Sequence, residues 1–237
     1  MPRKYSVIAV LLVAALGVAL LVTGYKAGLT RTKELADAHF ESRATAILSQ
    51  AKQREWPIVV LGDSHTELAM IDRLCGKPVL NAGISGARIG RMAKFGSELL
   101  REIEPSLVIV ALGTNDAWAH DPTETASFEA DYRKLLDEAR LAGATVVALT
   151  VPPVANEGMG RASAFDPAVI LARNRTIESL NVPVIDVAKV LSDEDGSLPP
   201  EFTDDGVHPN KTGYDLWKER LSRACQISNS RLASRSP

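Results

Sequence analysis

Cysteine is nearly absent: the 237 residues hold two, Cys75 and Cys225. Their distance in sequence excludes a CxxC redox pair or a zinc knuckle, and they read as buried free thiols, with a disulfide as the alternative for an exported domain. Internal repeats, low-complexity tracts and runs of like charge are also missing, so disorder is not the expected main state. A net charge of −2 and a pI near 6.1 leave no basic excess, and a nucleic-acid partner has no electrostatic support. No Gly-x-Gly-x-x-Gly fingerprint follows the first apolar run in the domain, and "GISGARIGR" lacks the Lys-Ser/Thr of a phosphate loop, so no cofactor is expected. Asp63, Asp116, Asp205 and His208 show no recognisable ligand spacing, so no metal is expected.

What is present suits one ordinary domain with a full-sized core, given 46% apolar and 24% charged residues. Ahead of it, Arg3 and Lys4 precede a run without charge from Val7 to Thr23, close to the lower limit for a membrane-crossing helix. With no convincing cleavage site after it, residues 1–28 read as an uncleaved membrane anchor, a cleaved signal peptide being the alternative. The expected arrangement has the short tail inside and the domain outside the cytoplasm, periplasmic or extracellular, although Lys26, Arg31 and Lys33 nearly balance the charges before the span. Residues 29–55 carry Leu35, Phe40, Ala44, Ile47 and Leu48 at helical spacing and read as a helical stalk. The domain follows over 56–226, and 227–237 read as a flexible tail.

From Trp56 onward, short β-branched runs alternate with longer amphipathic segments. The runs are "PIVVLG", "KPVLNAG", "LVIVALG", "ATVVALTV" and "VPVIDV". Unbroken apolar strands between helices indicate a parallel sheet covered on both faces. Five such strands with right-handed crossovers predict a three-layer α/β/α sandwich with a flavodoxin-like sheet. In that architecture ligands bind beyond the carboxyl ends of the strands. Polar residues collect there: Gly62-Asp63-Ser64, "NAGISGAR", "GTNDAW", and "DDGVHPN" before the last helix. Each has an ordinary reading alone, Ser64 as a helix cap and Asn115 as an Asx turn, but four converge on one edge.

The blocks "GDS", "NAGISG", "GTND" and "DGVHP" resemble the signature blocks of the SGNH hydrolases, also called GDSL esterases and lipases. The resemblance runs from about residue 57 to 225, in the family's order; His65 stands where the family name carries leucine. It implies Ser64 as nucleophile, the oxyanion donors Ser64, Gly86 and Asn115, and Asp205 with His208 as the relay. The chemistry of the residues agrees. Serine attacks an acyl carbon only if a base accepts its proton, and of the four histidines His208 alone has a carboxylate three residues before it in a Gly- and Pro-bounded turn. The Gly-x-Ser-x-Gly elbow of α/β-hydrolases is excluded, because Thr66 occupies its last position.

The expectation is a membrane-anchored serine esterase with no cofactor, acting on a small-molecule, glycan or lipid ester. Loops after Asn115 and after "ALTV" offer few large apolar groups, chiefly Trp118, Met159 and Phe165. With His65, these are the candidate substrate-lining residues. A long acyl chain needs a continuous apolar groove, so the reading favours a short acyl group such as acetyl on an envelope carbohydrate. Lipid acyl hydrolysis of lysophospholipase or thioesterase type is the alternative, followed by acyl transfer and by a catalytically silent binding module.

Overall fold

Burial of the β-branched runs builds the sheet. The computed structural model describes residues 3–53, 55–156 and 158–233, with side chains from residue 17 onward except 19 and 231–233. The elements begin with helix α1 (Arg3–Ala51), strand β1 (Ile58–Gly62), helix α2 (Ser64–Leu68), and strands β2 (Arg73–Leu74) and β3 (Lys77–Gly83). Then come α3 (Ile89–Glu102), β4 (Leu107–Ala111), α4 (Thr125–Leu141), β5 (Thr145–Leu149), α5 (Pro167–Ser179) and β6 (Val184–Ile185). Helices α6 (Ala188–Leu191), α7 (Lys211–Leu221) and α8 (Arg223–Ala233) close the chain.

The chain divides into two units, residues 1–42 and 43–237. In the first, the described residues are helical throughout. The expected anchor over 1–28 falls partly outside the described residues. Among the described residues, no helix is long and apolar enough to cross a membrane.

The second unit holds a mixed sheet of six strands in the order β2-β3-β1-β4-β5-β6. Five are parallel, as the apolar runs predict, and among themselves they follow the flavodoxin order. The sixth, β2, pairs antiparallel with β3 through a two-residue turn, Cys75-Gly76, in which both residues have positive φ. Two residues are too few to register as an apolar run, which is why β2 is absent from the sequence reading. In β1, Ile58, Val59, Val60 and Leu61 are at most 1% exposed, and successive side chains point to opposite faces, so the sheet is covered on both. Each such side chain contributes about 1.5–3 kcal/mol of burial free energy. Helix α3 comes close at Gly96, where a Cβ would meet Leu135 of α4 and Leu61 of β1.

Two expectations are corrected. Cys75 and Cys225 are not buried free thiols but form a disulfide across 150 residues, with Cys75 exposed in its turn. Of the expected tail over 227–237, residues 234–237 lie outside the described residues, and 227–233 are helical and continue α8. Its inner side buries Ala224 and Ser228, and Cys225 ties it to the β2–β3 turn. A further difference concerns the stalk: residues 43–51 belong to the second unit, where Ala44, Ile47 and Ala51 are buried.

Candidate active site

At the carboxyl end of β1 the chain turns through Asp63 into α2, and Asp63, not Ser64, caps that helix. Its Oδ1 accepts the His65 N–H at 3.0 Å. With the cap supplied by its neighbour, Ser64 keeps its hydroxyl for another partner. The Ser64 Oγ lies 2.9 Å from His208 Nε2. On the other side of the ring, His208 Nδ1 lies 2.7 Å from Asp205 Oδ2. Serine, imidazole and carboxylate are thus joined in one chain of hydrogen bonds across 144 residues of sequence.

The turn carrying Asp205 and His208 is held from several directions. Asp205 Oδ1 accepts the N–H of Val207 at 3.0 Å and of His208 at 2.8 Å. Burial pushes this carboxyl upward, but the hydrogen bonds from the His208 ring and from the two N–H groups outweigh it and hold the pKa at about 2. Thr203, 1% exposed, receives the Gly206 N–H on its Oγ1 and donates to the His208 carbonyl at 2.7 Å. From the loop after β5, Arg161 N–H donates to the Asp205 carbonyl at 2.7 Å and Ala155 N–H to that of Gly206 at 2.8 Å. That loop comes so near that a Cβ on Gly160 would lie 2.2 Å from the Asp205 oxygen.

Gly86 sits at φ +77, a left-handed conformation that side chains rarely adopt, while a Cβ there would meet open space. Glycine is therefore required by the backbone turn rather than by crowding within the protein. Among the described residues, no hydrogen bond takes up the backbone N–H of Ser64 or of Gly86. The Asn115 amide is oriented by a bond from Nδ2 to the Ala87 carbonyl at 3.1 Å, which ties the third block to the second.

Of the expected lining residues, Trp118 and Phe165 pack edge to face with ring centroids 5.2 Å apart and form an isolated β-bridge. Met159 is half-buried, its carbonyl accepting the Ala162 N–H at 3.0 Å. His65 is the exception. It is 3% exposed, its ring nitrogens turned to Asp63 and to the Val207 carbonyl, so it belongs to the interior rather than to a substrate wall.

Three further residues support this arrangement, and two of them, Arg43 and Glu67, escape sequence reasoning. Arg43 donates to the carbonyls of Gly83 at 3.1 Å and Asn81 at 3.0 Å. Glu67, 3.8 Å from Arg43, accepts the Ser85 N–H, so both brace the segment leading to Gly86. Asp116, buried beside Asn115, accepts the Ile89 N–H at 3.1 Å and the Thr123 hydroxyl at 2.7 Å. Burial raises its pKa, against the lowering effect of those hydrogen bonds and of nearby Arg173. Only the acidic residue after Asn115 is visible in sequence; the Arg43 contacts span about 40 residues and leave no local signal.

With this geometry, a family model, the GDSL-like lipase/acylhydrolase family, matches residues 60–216, more than half of the chain. The chain belongs to the GDSL-like lipase/acylhydrolase family. This GDSL-family chain is a serine ester hydrolase, and every block quoted above lies within the matched residues. Solved structures share the fold. A candidate platelet activating factor from Streptococcus pneumonia is 20% identical, with 84% of this chain and 98% of that one covered and a TM-score of 0.73. A GDSL-like lipase from Bacteroides thetaiotaomicron is 24% identical, covering 81% and 98%, at a TM-score of 0.66. A carbohydrate esterase of family 3 from Talaromyces cellulolyticus is 22% identical, covering 74% and 99%, at 0.55. No curated protein matches this GDSL-family chain.

Proposed function

We propose that the chain removes a short acyl group, acetyl in the first instance, from an O-acylated carbohydrate of the cell envelope through a Ser64 acyl-enzyme. The observation carrying the mechanism is the hydrogen-bonded series Ser64–His208–Asp205. His208 Nε2 accepts the Ser64 proton as Oγ attacks the carbonyl carbon, and Asp205 holds Nδ1–H and steadies the imidazolium. The tetrahedral oxygen is received by the N–H groups of Ser64 and Gly86 and by the Asn115 amide. His208 then returns its proton to the leaving alcohol, and water repeats the sequence in reverse to free the acid.

The short acyl preference is supported by the surroundings of the catalytic turn. The loop after β5, which packs on that turn, borders a cavity of about 400 Å³ lined mainly by small or polar residues, among them Ala119, Ala155, Ala162, Ser163 and Ser197, with Phe165 as its one large aromatic; Ser64 and His208 do not line it. Another hollow, about 700 Å³ beside Pro57, Glu102, Glu104 and Ser106, lies at the amino ends of the strands, away from Ser64. The hydrogen-bonded series, not cavity size, supports Ser64 as the reacting residue. Proteins sharing the fold include an acetyl xylan esterase and a carbohydrate esterase, which supports a glycan ester.

The domain acts outside the cytoplasm. The Cys75–Cys225 disulfide supports an oxidising compartment, and the uncharged run from Val7 to Thr23 supports a membrane anchor. A chain-length series of nitrophenyl esters, followed by acetate release from acetylated glycans, tests the substrate. The reading expects the highest rate at about two to four carbons, with acetate released; a maximum at about eight or more carbons and no acetate would favour a lipid ester instead.

A further inference from the structure

His65 is buried, and the nearest partner of each ring nitrogen is an acceptor oxygen. Its Nδ1 lies 3.1 Å from Asp63 Oδ1 and its Nε2 lies 3.0 Å from the Val207 carbonyl oxygen. Thr114 Oγ1, which can either give or accept, stands farther off at 3.5 Å from Nδ1. A neutral imidazole carries one N–H, so a neutral ring beside an ionised Asp63 would set a lone pair against one of these oxygens. The doubly protonated ring satisfies both, and it neutralises a carboxylate that is 1% exposed.

The second contact gives His65 a consequence for catalysis. Val207 immediately precedes His208, and Ser64 immediately precedes His65. Two rungs therefore join the same two segments: Ser64 Oγ to His208 Nε2, and His65 Nε2 to Val207 O. We propose that His65 is a positioning residue, held as an imidazolium, that clamps the His208 turn onto the nucleophile segment, so that loss of its proton releases the clamp and lowers turnover at alkaline pH. This rests on the proposed roles of Ser64 and His208.

The groups around His65 fit that charge. Asp63 faces it from the β1–α2 turn, Asp205 adds a more distant negative charge, and His208 lies with its ring centroid 5.4 Å away. Tyr132 of α4 and Tyr214 of α7, both near Asp63, remain neutral phenols, because burial pushes their ionisation far upward. Burial alone would depress the His65 pKa. The hydrogen bond and charge of Asp63, then the Val207 carbonyl and Asp205, reverse that, and the net direction is upward. The sign follows: a group raised in the folded state stabilises fully below its ordinary value, about 6.5 for histidine, and loses that contribution as pH rises through the higher folded value.

The test uses the full chain labelled with 15N, observed by long-range 1H–15N NMR of the histidine rings during a pH titration, with ester hydrolysis measured on the same samples. Both His65 nitrogens are expected to carry protons at neutral pH, and their loss is expected to coincide with an alkaline fall in kcat. His65→Gln, whose amide can still donate toward Val207, should keep turnover and lose that alkaline fall. His65→Leu should lower kcat by about 10²-fold with KM little changed. One bare His65 nitrogen at neutral pH, with the proton on Asp63 or absent, overturns the proposal, as does an unchanged alkaline limb in His65→Gln. The NMR signature needs no turnover, so an error in the proposed substrate or mechanism shows separately, as lack of hydrolysis or of dependence on Ser64.

Discussion

Two histidine–aspartate pairs lie side by side, their rings tilted by 43°. In one, His208 and Asp205 are 19% and 34% exposed at the side chain; in the other, His65 and Asp63 are 3% and 2% exposed. The near nitrogen of each ring faces a carboxylate. What differs is the far nitrogen: that of His208 meets a hydroxyl with a proton to give, whereas that of His65 meets a carbonyl that can only accept. A histidine beside a nucleophile becomes a base only when its outer nitrogen can be bare, and the partner on that side decides it.

Removing the working pair tests this contrast most severely. Ser64→Ala and His208→Ala should each lower kcat on a soluble nitrophenyl ester by about 10⁴-fold or more, and the double variant should be little worse than either, since the groups act as a unit. Unchanged circular dichroism would show the fold intact, and His65, buried and committed to its own partners, should not rescue either variant. Asp205→Asn is expected to cost on the order of 10³-fold by releasing the ring from its orientation. The wild-type pH–rate profile sharpens the same point. The depressed pKa of Asp205 means its contribution persists above the ordinary carboxylate value, about 3.9, and is lost only as pH falls toward about 2. Activity should nevertheless fall on acidification well before that, because a protonated imidazole cannot act as the base; a profile without an acidic limb above the carboxylate range would contradict a histidine base.

A smaller effect is expected at the oxyanion side. Asn115→Ala should reduce kcat by about 10²–10³-fold with KM nearly constant, as expected for a donor that matters chiefly in the transition state. The smallest effect on activity should come from the disulfide, which supplies no group to either pair. Replacing Cys75 and Cys225 with serine should lower unfolding free energy by about 2–4 kcal/mol in chemical denaturation and leave kcat at 25 °C unchanged.

The parallel strands were legible because β-branched runs bounded by Gly and Pro have few other uses, and the four polar blocks fell where an α/β sheet gathers its ligands. The pairing of Asp205 with His208 could also be read, since three residues separate them in one turn. Other features depend on distances that sequence does not encode. Cys75 meets Cys225 only after the β2–β3 turn and α8 are in place, and Arg43 reaches Gly83 only once α1 is packed. His65 was misplaced for a subtler reason. It stands among the substrate-lining candidates in sequence, but α2 begins at Ser64, and the helical turn directs the next side chain back toward its own cap, Asp63.

The central claim, that Ser64 is a nucleophile activated by His208, is tested most directly with a serine-reactive phosphonate and mass spectrometry of the intact protein and its peptides. The account predicts a single adduct on Ser64, absent from Ser64→Ala, greatly slowed in His208→Ala, and following the acidic limb of the pH–rate profile. An unlabelled Ser64 in folded protein, or labelling at an equal rate without His208, would contradict it.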